Sequence, residues 1–221
     1  MAKSKAQVAW LVLMNELKIP TPVHRPFWQA LSQRYREKSR YYHRLKHLGQ
    51  FLDHLEALRK TLPGCSISPA LKLAVFYHDI VYDARRNDNE MLSWQMAEEF
   101  LKAAGLMERY GAQVRCLILA TASHKKALLE PECGLSQAEL DLFLDCDLLI
   151  LASRPRAYKL YCRQIRKEYA HYEPAVFNAG RKAFLESFSQ AERIYRSEAV
   201  HHLYHDATRQ NLLSELKELA P

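Results

Sequence analysis

The sequence is poor in the residues that make sheets and tight turns. Only six of its 221 residues are glycine, and no stretch alternates valine, isoleucine or threonine with polar residues, so strands have little support. Long apolar runs are missing too. No segment approaches the roughly eighteen consecutive apolar residues that a membrane-crossing helix needs. The opening "MAKSKAQVAWLVLMNELK" has a short apolar stretch that continues into polar Asn15 and Glu16, which reads as an amphipathic helix and not as a signal peptide. Cysteine is sparse and unpatterned. Cys65, Cys116, Cys133, Cys146 and Cys162 are odd in number and form no CxxC pair, which argues against a disulfide framework or a zinc knuckle and fits reduced thiols in a cytoplasmic protein. With no repeat, low-complexity tract or linker, one domain over residues 1–221 is expected.

What is present is helical periodicity on a 48% hydrophobic chain. From Tyr41 to Leu62 the leucines at 45, 48, 52, 55, 58 and 62 step by three or four and make one apolar stripe, closed by "PGCS". Ser68 followed by Pro69 predicts an N-cap and a first helical residue, opening a helix that runs into His78 and Asp79. Asp88 is the expected cap of "NEMLSWQMAEEFLKAA", with Gly105 as its stop. A helix over "ERYGAQVRCLILATASH", a loop over "KKALLEPECGLS" and a Ser136/Glu139 capping box before "AELDLFLDCDLLILAS" follow. Later helices are expected over 155–171, 174–190 and 199–219. The fold class is therefore all-α.

Net charge is +7, which favours anionic partners. The basic residues are scattered through helices and form no block, so a small phosphorylated substrate fits better than nucleic acid, although the densest cluster, "RYREKSRYYHRLKH", suits either.

Four side chains call for a common explanation. His78 and Asp79 end an apolar run, where an imidazole and a carboxylate are costly unless paired or bound. His47 lies four residues after His43, which predicts both on one helical face. Asp147 falls in step with Leu140, Phe143, Leu144 and Leu151. Together His47, His78, Asp79 and Asp147 offer two imidazoles and two carboxylates, a set suited to Mn, Fe, Co, Ni, Zn or Mg. Asp145, two residues away and on a different helical face, is the rival for the last position.

The order H…HD…D, carried by "YHRLKH", "FYHDIVYD" and "DCDLLIL", resembles the HD-domain superfamily of metal-dependent phosphohydrolases. The longer string "HDIVYD…DNE…ATASH…FLDCDL…IRKEY…GR…IY…RQNL" is similar to the subgroup of predicted HD phosphohydrolases, over roughly residues 27–216. The resemblance implies an HD-type helical bundle with a divalent metal held by His47, His78, Asp79 and Asp147. It also implies hydrolysis of a nucleotide or other small phosphate ester by metal-activated water, with Asp79 orienting that water. The "YHRLKH" element is similar to the "YHNxxH" of cyclic-nucleotide phosphodiesterases, which implies that His47 is the ligand and His43 the general acid. The glycine and lysine of the HDIGK subgroup are Val81 and Tyr82 here, which points away from cyclic dinucleotides.

His124, in "ATASH", is a candidate for a phosphate or a second metal. Arg40, Lys125, Arg181 and Arg209 are candidate phosphate grips, since a guanidinium fork or an ammonium suits phosphate oxygens. Two other readings stay open. One is a nucleic-acid-binding module, which would explain the charge, and the other is a metal-stabilised scaffold without catalysis.

Overall fold

The computed structural model describes residues 3–60, 67–124 and 131–219. Among them the chain is all-helical, with ten α-helices and no strand. These are α1 (Lys5–Glu16), α2 (Thr21–Arg34), α3 (Leu45–Arg59), α4 (Pro69–Tyr77), α5 (Asn89–Ala103), α6 (Met107–Ala120), α7 (Gln137–Leu148), α8 (Pro155–Glu168), α9 (Pro174–Ser189) and α10 (Glu198–Glu218). Short 3-10 turns at Thr121–Ser123, Pro131–Cys133 and Leu149–Ala152 complete them.

The hub is α4. Its residues "PALKLAVFY" are apolar on nearly every face, which suits only a helix with neighbours on all sides. It packs against α3, α5 and α6, while α7 also lies against α3 and α9 pairs with α10. Phe76, Tyr77, Trp10 and Phe100 form an aromatic knot where α1, α4 and α5 meet, with Trp10 and Phe76 edge to face at 5.2 Å. No helix among the described residues is long and apolar enough to cross a membrane.

Local signals hold where the cap chemistry is local. The Ser68 hydroxyl accepts from the Leu71 N–H with Pro69 at the first turn. Ser136 and Glu139 form the reciprocal capping box of α7. Gly105, at φ +67°, ends α5 in the left-handed region that favours glycine. Asp88 occupies the N-cap position of α5, but its carboxylate pairs with the Arg86 guanidinium at 2.7 Å and leaves the cap unbonded.

Two expected boundaries move, and both matter to the site. The helix expected from Tyr41 begins at Leu45, because the N–H groups of Tyr41, Tyr42 and His43 turn away to bond the Glu168 carboxylate. The segment expected to end it, "PGCS", lies outside the described residues. Further on, α4 stops at Tyr77, with His78 as its C-cap and Asp79 in the turn beyond, so the pair is not within the helix as expected. The carbonyls of Asp79 and Ile80 are captured by the Arg40 guanidinium at 2.6 and 2.7 Å, which satisfies them outside the helix.

Candidate metal centre

Three segments distant in sequence meet at the C-terminal end of α4. The first turn of α3 brings His47, the cap and turn after α4 bring His78 and Asp79, and the last turn of α7 brings Asp147. The two imidazoles face each other with their Nε2 atoms 3.1 Å apart. Asp79 Oδ2 lies 3.1 Å from His78 Nε2 and 3.8 Å from His47 Nε2. Asp147 Oδ1 lies 3.5 and 3.6 Å from the same two nitrogens.

Donors about 2.1 Å from one ion would stand about 3.0 Å apart at right angles and about 3.4 Å apart in a tetrahedron. The observed separations span those values, and most are too long for strong hydrogen bonds. The tautomer suits a ligand as well. His78 Nδ1 lies 2.9 Å from the Val75 carbonyl and donates to it, which directs Nε2 at the centre of the cluster, where a metal ion would take the place of its proton. His47, His78 and Asp79 thus form a group able to hold a metal ion, their donor atoms all within 4.8 Å of one another.

The walls are dry. Phe51 packs against His78 and Phe143 at centroid distances of 5.3 and 5.0 Å, and Tyr42 lies 5.0 Å from His47. Burial, with His78 beside it, lowers the His47 pKa to about 4, so its imidazole is neutral and available as a donor. Burial alone would do the same to His78, but the Asp79 and Asp147 carboxylates outweigh it and hold its pKa well above the ordinary value. Burial opposes ionisation of Asp79 and Asp147 in turn. His78 and His43 overcome it at Asp79, and His124 and His78 at Asp147, so both carboxyls sit below their usual range. The cluster carries charge that a cation would complete.

Asp147 and Asp145 point opposite ways. Asp145 is fully buried, and its carboxylate accepts from the backbone N–H groups of Arg196 and Ser197 at 2.7 and 2.8 Å, bracing the turn into α10. Burial raises its pKa to about 6 against the pull of those bonds. It is a structural acceptor away from the centre, and Asp147 is the carboxylate that reaches it.

His43 lies before α3 and not on its face, yet it arrives at the same site. Its Nδ1 is 2.8 Å from Glu168 Oε2, and its Nε2 is 3.7 Å from Asp79 Oδ2. The Tyr82 ring stacks on it at 3.9 Å. Glu168 was not singled out from the sequence. Its side chain is 1% exposed, and its other oxygen takes the three N–H groups of residues 41–43, while His43 and these bonds hold its pKa below the usual value despite burial. A signal existed: Glu168 is in step with the buried Tyr158, Tyr161 and Ile165 of α8, the same carboxylate-on-an-apolar-stripe pattern that marked Asp147.

The remaining candidates separate. His124 Nε2 bonds Asp147 Oδ2 at 2.8 Å, so it belongs to the centre, and its carbonyl is held by Arg196. Arg40 is 1% exposed and clamps the turn after His78, which leaves it no face toward a ligand. Arg181 is buried in a bidentate pair with Glu215 at 2.8 and 2.9 Å. The expected phosphate-binding roles of both are therefore corrected to bracing roles, since their donors are taken by protein acceptors. Arg209 is exposed on α10, and Lys125 lies outside the described residues. No protein-family model matches the chain, and neither a curated protein nor a solved structure matches it.

Proposed function

We propose that this protein is a metal-dependent phosphohydrolase of the HD type, acting on a small phosphate ester. The observation that carries the reading is the convergence of His47, His78 and Asp79 donors within 4.8 Å at the end of a buried helix. The H…HD…D order supports it further. Asp147, 3.5 and 3.6 Å from the two imidazoles, is the fourth ligand. A bound divalent ion supplies an acidified water and neutralises phosphate oxygens.

The chain's own groups do the rest. Asp79 orients the water for in-line attack on phosphorus. The bond from phosphorus to the ester oxygen breaks as the bond to the water oxygen forms, and the water's proton passes to solvent base. His43 donates its Nε2 proton to the departing oxygen, with Glu168 at Nδ1 fixing the ring. The products are an alcohol and inorganic phosphate.

The test pairs metal analysis with two esters. Protein purified without chelator contains a divalent metal, and His78→Ala loses it. His43→Ala keeps the metal and loses roughly 10²–10⁴-fold on an alkyl phosphate, the range for general acid catalysis, but far less on nitrophenyl phosphate, whose leaving group needs little protonation. Equal losses on both esters reject the acid role, and metal-free protein that gains no stability from added Mn, Co, Ni or Zn rejects the centre.

A further inference from the structure

A cleft of about 430 Å³ opens beside the metal centre, and its two ends differ in chemistry. One end carries His43, His124 and Asp147. The other is built from Leu148, Ile150 and Leu151 around the end of α7, Tyr161 of α8, and Phe184 and Phe188 of α9. Phe184 and Phe188 pack against each other at 4.8 Å, and Tyr161 meets Tyr42 edge to face at 4.8 Å, so two aromatic pairs line this wall.

Charge is missing from that wall. Among the described residues no lysine or arginine lines the cleft. Arg181 lies behind it, its guanidinium 4.9 Å from the Phe184 ring centre and 5.3 Å from that of Tyr161, but the bidentate bond to Glu215 neutralises it. Among the described residues, the place the cleft offers an anion is the His and Asp end. Further phosphates lying along Tyr161, Phe184 and Phe188 would meet aromatic carbon, where an unpaired anion is strongly disfavoured.

Resting on the phosphohydrolase reading above, we propose that the substrate is a monoester carrying a single phosphate on an uncharged, largely apolar alkyl or aryl body, in preference to a nucleoside di- or triphosphate. The phosphate sits at the centre with its ester oxygen toward His43. The body lies along Tyr161, Phe184 and Phe188, and removing it from water supplies the selectivity.

The test uses primary alkyl phosphates, which share one leaving-group chemistry and differ only in apolar length. With Mn²⁺-loaded protein, kcat/KM rises about two- to fourfold per added methylene from ethyl through butyl to hexyl phosphate, the upper figure corresponding to full burial of a CH₂. Phe184→Ala reduces the hexyl-to-ethyl ratio by about tenfold, and Phe184→Leu, which keeps an apolar side chain, restores most of it. Circular dichroism checks that both variants fold. Ethyl-, butyl- and hexylphosphonate, which cannot be hydrolysed, show the same length dependence by calorimetry on the loaded protein. A flat series, an unchanged ratio in Phe184→Ala, or preference for ATP over hexyl phosphate overturns the proposal. If the phosphonates show the length dependence but no ester turns over, the wall stands as a binding site and the hydrolase reading falls. If esters turn over without length dependence, the reverse holds.

Discussion

Replacing Glu168 by Gln tests the catalytic reading at its least obvious residue. In the wild type Oε1 accepts from the N–H groups of Tyr41, Tyr42 and His43 at 2.7, 2.8 and 3.0 Å, and Oε2 faces His43 Nδ1 at 2.8 Å. A glutamine oxygen keeps the three backbone bonds but as a neutral acceptor, weakening each by about 1 kcal/mol. The buried carboxylate also carries a desolvation cost that the amide avoids, so the net loss of stability is about 1–3 kcal/mol. The kinetic effect is sharper. An amide NH₂ opposite Nδ1 requires a lone pair there, and the imidazolium loses a charge-assisted bond worth about 1.5–3 kcal/mol. An alkyl phosphate rate at neutral pH then falls about 10- to 100-fold. Nitrophenyl phosphate hydrolysis changes far less. The assay is kcat for both esters at neutral pH, on samples with measured metal content. An alkyl ester rate within threefold of wild type would refute the dyad. Equal losses on both esters would reduce Glu168 to a structural brace.

The two aspartates of α7 separate by metal analysis and melting: Asp147→Asn lowers metal affinity at least tenfold, whereas Asp145→Asn keeps the metal and loses about 1–2 kcal/mol of stability through its bonds to Arg196 and Ser197. Arg40→Met frees the carbonyls of Asp79 and Ile80 from their clamp, so metal affinity measured by competition with a chelator falls about 10- to 100-fold although Arg40 touches no ligand side chain. The Arg181–Glu215 pair governs acid sensitivity. Glu215 has its pKa held below the ordinary 4.5 by Arg181 despite burial, so the pair's contribution is present above that value and is lost as pH falls through the lowered pKa. Glu215→Gln costs about 3–5 kcal/mol at neutral pH, and denaturant midpoints measured down the acid range fall less steeply in the variant than in wild type.

Much of the fold was legible because helix formation answers to nearby residues. The stripe of α3, the Ser68–Pro69 opening of α4, the capping box of α7 and the Gly105 stop each depend on side chains within a turn or two, and the chain folds accordingly. His78, Asp79 and Asp147 were legible as polar groups at positions whose neighbours are apolar, and His47 by its spacing from His43. Glu168 carried the same mark as Asp147, on α8, and lies within "IRKEY", part of the string that resembles the HD phosphohydrolases, yet neither signal alone gave it a role.

By itself, then, the sequence determined nine of the ten helices, α2 being the one it did not signal, and a set of histidines and aspartates that burial would make costly without a partner. The tertiary structure decided which partner each polar group obtained. Arg40 and Arg181 looked equally able to grip phosphate until the fold gave one the carbonyls after His78 and the other Glu215. Asp145 and Asp147 differ by two residues, yet one braces α10 and the other meets His47, His78 and His124. Three N–H groups that would have begun a helix at Tyr41 went instead to a carboxylate more than a hundred residues away. The physical reason is that periodicity encodes which face of a helix is buried, while a buried polar group takes the nearest complementary atom in space, and that neighbour exists only once distant helices have packed.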